Sequence, residues 1–142
     1  MISQFPVITK EAGATLNTGA TATLSSTGVD CRGFDYITIT VLLGTIAAGG
    51  GLSVAKLQYS DNNSTWTDVT DGGATPLPGD TDDNKYITWY HKNVDGAHRY
   101  YRVVLTTAGA VNTIIDSIIY ARSRAQIVPP STSSTVLAIN LT

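Results

Sequence analysis

Hydrophobic and polar residues alternate in several short stretches of the chain, most clearly over 36–43. One set of alternate positions is wholly aliphatic and the other is mixed: Ile37, Ile39, Val41 and Leu43 against Tyr36, Thr38, Thr40 and Leu42. A period of two residues is typical of a β-strand with one buried face. Similar stretches at 52–60, 86–91, 99–107 and 112–121 are separated by turn-forming residues. The stretch at 112–121 also fits a helical stripe, but its four isoleucines favour a strand.

The segment 57–69 predicts a β-hairpin at the centre of the fold. Two runs of β-favouring residues flank a turn made of Asp, Asn and Ser, which suit tight turns. With Asn62 and Asn63 at the tip, Tyr59 lies opposite Trp66 on one face of the hairpin. We expect this aromatic pair to fix the strand register and Trp66 to be largely buried.

The succession of about seven or eight short strands without a helical pattern predicts an all-β protein with a single β-sandwich. Its topology is expected to be jelly-roll or immunoglobulin-like. We expect the domain to span 20–128, after an extended N-terminal arm at 1–19 that holds at most a short strand at Phe5–Thr9.

A C-terminal arm is predicted at 129–142, because Pro129-Pro130 and a Ser/Thr run separate the last alternating stretch from the domain. A lone strand in water leaves its backbone groups unpaired, so we expect it to pair with a neighbouring subunit. The expected contact residues are Val136, Leu137, Ile139 and Leu141. The alternative is that the arm folds back on its own domain as an edge strand.

Charged residues are only 14% of the chain, against about 25% in an average domain, and the net charge is −2. A nucleic-acid-binding domain normally carries a basic stripe, so we expect no nucleic-acid partner. No window approaches the roughly 20 apolar residues of a membrane span, and the opening residues do not resemble a signal peptide. We therefore expect synthesis in a cytoplasm and no membrane partner.

Residue types that carry chemistry are few and scattered. The single cysteine, Cys31, excludes an internal disulfide and a cysteine-based zinc site. Neither His91 nor His98 belongs to a recognisable catalytic motif. The acidic loop Asp80–Asn84 offers oxygen ligands for calcium but lacks the spacing of a calcium-binding loop, so we read it as a solvated loop. We expect no enzyme activity, no cofactor and no metal.

The aromatic residues leave carbohydrate binding open as a second interpretation, because exposed rings can stack on sugars. The candidates are Trp66, Trp89, Tyr59, Tyr86, Tyr90, Tyr100 and Tyr101. Large aromatic side chains of a small sandwich more often form its core.

The order of motifs between Gly28 and Tyr120 carries a family resemblance. Gly33-Phe34-Asp35-Tyr36 leads into the first clear strand, and Leu57-Gln58-Tyr59-Ser60-Asp61 is followed by Ser64-Thr65-Trp66. Arg99-Tyr100-Tyr101-Arg102-Val103 then precedes an Ile-rich strand. This order resembles small structural proteins of tailed bacteriophages that decorate or cement the capsid.

The resemblance implies a compact β-sandwich that assembles on the outside of the virion head. Its implied partners are the major capsid protein and further copies of itself, as a homodimer or homotrimer. The alternative is a carbohydrate- or receptor-binding β-sandwich module of a phage fibre or a secreted protein. We expect a non-enzymatic structural role that bridges shell subunits.

Overall fold

The computed structural model of the chain describes residues 6–16, 21–93 and 97–123, and the backbone of residues 136–141. Ten strands and no helix occur in these residues. The strands are β1 (Val7–Leu16), β2 (Thr23–Ser25), β3 (Val29–Asp30), β4 (Tyr36–Ile46), β5 (Leu52–Ser60), β6 (Thr67–Gly73), β7 (Tyr86–Lys92), β8 (Tyr100–Thr107), β9 (Thr113–Ser123) and β10 (Val136–Leu141). A search of the same residues finds no helix suited to crossing a membrane.

The strands form two sheets that pack on each other as a sandwich. The first sheet has the order β1-β9-β4-β7-β10, and the second has the order β2-β8-β5-β6, with β3 also paired to β8. All pairings are antiparallel except that of β10 with β7. The predicted all-β sandwich is therefore confirmed.

The way the chain passes between the sheets identifies the topology. Strands β1 and β2 lie in different sheets, as do β4 and β5, β6 and β7, β7 and β8, and β8 and β9. An immunoglobulin fold keeps its first two strands in one sheet, whereas a jelly roll interleaves two four-stranded sheets. Of the two predicted topologies, the structure has the jelly roll.

The core lies between the two sheets and is filled by alternate residues of each strand. The aliphatic positions predicted to be buried in β4 are buried, with Ile37, Ile39 and Val41 fully enclosed. The largest enclosed side chains are Trp89, Tyr101 and Tyr120. The Trp89 indole N–H donates to the carbonyl oxygen of Gly72 at 2.9 Å, so its polar atom is satisfied inside the core.

The predicted pairing of Tyr59 with Trp66 is wrong by one residue. Tyr59 lies opposite Thr67, and Trp66 falls in the turn, where it is half-buried. The turn is longer than two residues because Asn62 Oδ1 accepts hydrogen bonds from the amides of Ser64 (2.9 Å) and Thr65 (2.8 Å). Asn63 then adopts a left-handed conformation, with φ of 58°.

The predicted N-terminal arm is, over Val7–Leu16, an edge strand of the first sheet rather than an extended segment. It pairs with β9 over nearly its whole length, from Val7 opposite Arg122 to Leu16 opposite Thr113. Its weak periodicity hid the strand, because an edge strand buries little of its surface. Position 13 requires glycine because the backbone of β9 lies close to it. A Cβ there would overlap the carbonyl oxygen of Ile115.

The C-terminal strand pairs with the chain's own sheet, which is the arrangement that the alternative interpretation expected. Strand β10 runs parallel to β7, with Ile139 in register with Thr88 and Leu141 with Tyr90. The side chains of Val136, Leu137, Ile139 and Leu141 lie outside the described residues. Their contact with a neighbouring subunit, and exchange of the strand between copies, stay predictions.

Candidate functional site

The outer face of the first sheet presents an uncharged surface, which we call the uncharged face. It follows from the strand registers, because residues directly opposite each other on paired strands point to the same side. Thr40 of β4 lies opposite Thr88 of β7 and Ile119 of β9. The uncharged face comprises Tyr36, Thr38, Thr40 and Leu42 of β4, Tyr86, Thr88 and Tyr90 of β7, and Ser117, Ile119 and Ala121 of β9.

Hydroxyl groups supply most of the polarity of the uncharged face. The hydroxyls of Thr40 and Thr88 are hydrogen-bonded to each other at 3.0 Å across the strand pair. Although Thr88 and Ser117 point outward, both are buried by the side chains around them. The tyrosines of the same face, Tyr36, Tyr86 and Tyr90, are half-buried, so the surface is only partly exposed.

Among the described residues, the charged groups nearest to the uncharged face lie along its border. Lys10 of β1 is in register with Ile119, and Lys92 at the end of β7 is opposite Tyr36. Asp116 lies beside Gly44, where a Cβ would approach its carboxylate to 2.6 Å. Burial, with a smaller contribution from Tyr86, raises the pKa of Tyr90 above its usual value. The phenol of Tyr90 therefore stays neutral at physiological pH.

The outer face of the second sheet has the opposite character. Asp68 of β6 accepts hydrogen bonds from Lys56 Nζ at 2.8 Å and from Gln58 Nε2 at 2.7 Å. Arg102 of β8 donates to Gln58 Oε1 at 2.9 Å. The hydrogen bond from Lys56 is the main cause that lowers the pKa of Asp68. Charged groups that satisfy each other in this way are compatible with a face exposed to water.

The predicted hairpin residues Tyr59 and Trp66 belong to two separate contacts. The guanidinium of Arg102 lies 4.3 Å from the centre of the Trp66 ring. A Cβ at Gly28 would lie 2.7 Å from the same indole, so Gly28 leaves room for the ring. Tyr59 instead stacks on His98 with ring centres 3.6 Å apart. The Trp66 ring is thus covered on two sides and offers little surface for stacking on a ligand.

His91 and His98 lie at one end of the sandwich in a hydrogen-bonded cluster. His91 Nε2 is 3.1 Å from the Tyr101 hydroxyl, which donates to Asn93 Oδ1 at 2.8 Å. The Asn93 side chain also donates to the carbonyl oxygen of His98 and accepts from the amide of His98. Burial, with a smaller contribution from His98, lowers the pKa of His91 to about 4. This cluster joins β7 to β8 across the segment between them.

Cys31 has the properties of a structural residue. It is fully buried, and its thiol donates to the carbonyl oxygen of Val29 at 3.4 Å. Burial raises the pKa of the thiol to about 12. A thiol that stays protonated is a poor nucleophile and a poor metal ligand.

The acidic loop uses its carboxylates to hold the backbone. Asp83 Oδ1 accepts from the amide of Ile46 at 2.6 Å, and Asp80 Oδ2 accepts from that of Gly49 at 2.9 Å. Asp82 accepts from the amide of Gly79 and from Lys85 Nζ, each at 2.7 Å. Across the described parts of the chain, no group of three or more His, Cys, Asp or Glu side chains could hold a metal ion. These acids tie the loop at 79–85 to the loop after β4.

A groove of about 390 Å³ lies between β1 and the nearby edge of the second sheet. Glu11 on one wall accepts hydrogen bonds from the amide of Thr27 through both oxygens, at 2.9 and 3.1 Å. Arg122 donates to the carbonyl oxygen of Asp30 and to the hydroxyl of Thr9. The charged groups of the groove therefore join β1 to the second sheet.

The uncharged face was not predicted from the sequence, although the residues that β4 contributes to it could be recognised there. The outward positions of β4 were identified correctly as Tyr36, Thr38, Thr40 and Leu42. The contribution of β9 was hidden because it depends on which strand lies beside β4, and a single sequence does not state strand order.

Comparison with known proteins found similarity at the level of fold. No protein-family model and no curated protein sequence matches the chain. Among solved structures, the PBSX exported protein XepA matches with a TM-score of 0.53 and 17% identity. The match covers 96% of this chain and 43% of XepA, so the chain spans less than half of that protein.

A second structure contains the CBM22-1 and GH10 modules of endo-1,4-β-D-xylanase 10B from Clostridium thermocellum, complexed with xylohexaose. It matches with a TM-score of 0.48 and 13% identity over 89% of this chain and 26% of that one. What the comparisons show for this chain is a β-sandwich fold shared with XepA.

Proposed function

We propose that the chain is a non-enzymatic structural protein of a phage virion, which decorates or cements the capsid by bridging shell subunits. The observation that carries this proposal is the contrast between the two outer faces of the sandwich. One face is uncharged and closely packed, whereas the other carries charged groups already paired with each other. Contiguous surfaces with few charges are typical of protein–protein interaction sites.

The structural similarity to XepA supports this proposal, because XepA is a phage-related protein. The sequence resemblance to capsid decoration proteins points to the same class. Under the proposal, the partners are the major capsid protein and further copies of the chain, and the chain resides on the virion surface.

The non-enzymatic part of the proposal is supported by how the reactive side chains are used. Cys31 is buried and protonated, and the acids of the loop at 79–85 accept hydrogen bonds from backbone amides. His91 contacts the hydroxyl of the buried Tyr101. Metal analysis of the protein purified without chelator should find no stoichiometric transition metal. One zinc or iron per chain would overturn this part of the proposal.

Binding to assembled shells tests the proposal. Purified heads of the phage that encodes the chain are mixed with the full chain, sedimented, and imaged in negative stain. We expect saturable co-sedimentation, because a module that binds only the assembled shell is retained by it. The same chain mixed with unassembled capsid protein is the control, and equal binding to both or to neither would contradict the proposal.

A carbohydrate-binding module is the second candidate, favoured by Tyr36, Tyr86 and Tyr90 on the uncharged face. Binding sites for small molecules also need a few precisely placed polar groups that orient the ligand. None of the ten residues of the uncharged face has a carboxylate, amide or guanidinium side chain. A glycan array separates the two candidates, since specific binding to one class of glycan would support the module.

A further inference from the structure

We infer that the free edge of β1, together with the groove beside it, binds an extended segment of another polypeptide that carries an acidic side chain. The segment would join the first sheet as a further strand next to β1. The inference goes beyond the proposed function and does not rest on it. The uncharged face lies on the outer side of the first sheet, whereas the groove lies between the two sheets.

Strand β1 has one unpaired edge among the described strands. It ends the order of the first sheet, so β9 occupies only one of its two sides. In an antiparallel pair, alternate residues point their N–H and C=O groups away from the partner strand. Alternate residues of the ten in β1 therefore offer backbone hydrogen bonds to a further strand.

Both edges of the second sheet are less suited to this role. Strand β2 has only three residues. The pairing of β6 with β5 shifts register between Lys56 and Gln58, and Asp71 is left-handed with φ of 58°. Short and irregular edges are ways in which proteins avoid strand addition. Strand β1 is longer than either, and its first residues, Val7 and Ile8, are large exposed hydrophobic residues.

The groove would receive inward side chains of the added strand. It is lined by β1 and β9 on one side and by residues 27–30 on the other. Thr9 and Glu11 point inward, because they are in register with the buried Tyr120 and Ile118 of β9. Both remain half-exposed, so the sandwich is open at this corner. A strand about 4.8 Å beyond β1 would place alternate side chains over this opening.

The acids of the groove already have partners. The two carboxylate oxygens of Glu11 accept hydrogen bonds from the amide of Thr27 at 2.9 and 3.1 Å. Asp30 Oδ2 accepts from Arg99 Nε at 3.0 Å and from Arg99 Nη2 at 2.8 Å. Asp30 Oδ1 accepts from the amide of Arg32 at 3.0 Å. Neither carboxylate therefore requires a cation from a ligand.

The cations of the groove have no acidic partner within the described residues. Arg122 donates to the carbonyl oxygen of Asp30 and to the hydroxyl of Thr9, and it lies 5.3 Å from the centre of the Phe34 ring. All three contacts are with neutral groups. The Nε–H of Arg122 is buried and finds no acceptor in this part of the chain. Lys10 is exposed and forms no ion pair there. The charge left over is positive, and a carboxylate is its complement.

The positions of these two cations specify the pattern of the added strand. Arg122 belongs to β9, but its guanidinium reaches Thr9 of β1, so it lies one strand from the added segment. Lys10 is in register with Ile119 and points to the outer side. Opposite charges on neighbouring strands stabilise their pairing, and like charges oppose it. An acidic side chain facing Arg122 is favoured, and a basic one beside Lys10 is disfavoured. Because both cations lie along an unpaired strand edge, a peptide segment fits the site better than a free anion.

A peptide library tests this inference. Random ten-residue peptides are selected by ribosome display on the immobilised full chain, and the enriched peptides are synthesised. Calorimetry measures their binding to the native chain, to Arg122→Gln and to Arg102→Gln, with circular dichroism as the check of folding. Arg102 is the matched control, because its guanidinium lies on the second sheet in contact with Trp66 and Gln58.

We expect the enriched peptides to alternate β-favouring residues and to contain an aspartate or a glutamate. Arg122→Gln should weaken their binding about tenfold, because a hydrogen bond between charged groups is lost. Arg102→Gln should leave the binding unchanged. Selection of no peptide, selection of peptides without an acidic residue, or equal effects of the two substitutions would overturn the inference.

Two changes in the peptide cover the case in which Arg122→Gln does not fold. Replacing the acidic residue by its amide should weaken binding to the native chain about tenfold. Methyl groups on alternate backbone nitrogens should abolish binding when they lie on the edge that meets β1 and spare it when they lie on the other. Binding that tolerates both sets of methyl groups, or that is unchanged by the amide, would contradict strand addition of an acidic segment.

Hydrogen exchange locates the bound peptide. It should slow the exchange of amides in β1 and leave those of β6 unchanged. Protection confined to the second sheet would place the peptide elsewhere and overturn the inference. These measurements use no capsids, so their outcome is independent of the test with phage heads.

Discussion

Trp89 and Trp66 differ in burial, and this difference sets how much stability the protein should lose when each is replaced. Trp89 is 0% exposed, and its indole N–H is bonded to Gly72. Trp66 is half-buried between Arg102 and Gly28. From the alternation of residues alone, both tryptophans were candidates for the core. The register of the hairpin and the geometry of its turn show that only Trp89 is fully buried.

Replacing Trp89 with alanine should lower the free energy of unfolding by about 3–5 kcal/mol, the range for emptying a large buried site. Trp66→Ala should cost only about 1 kcal/mol, because it removes a partly exposed ring and its contact with a guanidinium. Urea denaturation of the two variants measures both values. Equal costs, or a larger cost at Trp66, would contradict the burial of the two rings.

His91 should make the stability of the protein depend on pH between about 4 and 6.5. In the unfolded chain its pKa is about 6.5, whereas in the folded protein burial lowers it to about 4. Between these values the unfolded chain binds more protons, so the free energy of unfolding falls as the pH falls from 6.5 towards 4.

The matched variant is His91→Gln, which keeps a polar side chain but does not titrate. Thermal unfolding at half-unit steps of pH should show a shallower slope for this variant over the same window. The carboxylates with lowered pKa values, Asp30, Asp68 and Asp82, act below about pH 5 and equally in both proteins, so the difference between the two slopes reports His91. Identical slopes for the two proteins would exclude His91 as the source.

Among the elements, the turn between β5 and β6 shows why strands were easier to predict than their register. The β-favouring runs locate both strands, although β6 continues past the predicted segment to Gly73. The register depends on a single left-handed residue, Asn63, and on two bonds accepted by Asn62. The full length of β1 was not predicted for a related reason, since its pairing depends on β9, which lies about 100 positions away in sequence.

Asn62→Ala should destabilise the hairpin by about 1 kcal/mol, because two backbone amides lose their acceptor. Ser64→Ala in the same turn is the control, since the Ser64 side chain is exposed and only its backbone amide contacts Asn62. Chemical denaturation should show a loss for the first variant and little change for the second. A similar loss in both would mean that the Asn62 bonds do not hold the turn.

At the scale of the whole molecule, the two outer faces make the sandwich asymmetric. This property emerges from strand order, because β4, β7 and β9 each contribute uncharged outward residues and come together only in the folded sheet. The all-β class was predictable from the period of two and from the scarcity of charge. The jelly-roll order was not, because no local signal states which sheet receives each strand.

Deletion of residues 131–142 tests whether the C-terminal arm connects subunits. Because β10 pairs with β7 of its own chain, the deletion should expose an edge of the first sheet and lower the melting temperature. The mass of the protein should otherwise stay that of the full chain, because the deleted strand pairs within its own chain. A truncated chain that becomes monomeric by light scattering would instead support exchange of the arm.

The composition of purified virions tests the central claim most directly. Phage particles are banded in a density gradient, and the chain is quantified by mass spectrometry relative to the major capsid protein. A decoration protein predicts many copies per particle, in a fixed ratio to the capsid protein, and their loss when the gene is deleted. A chain that is absent from the banded particles and found only in the surrounding lysate would contradict a structural role in the virion.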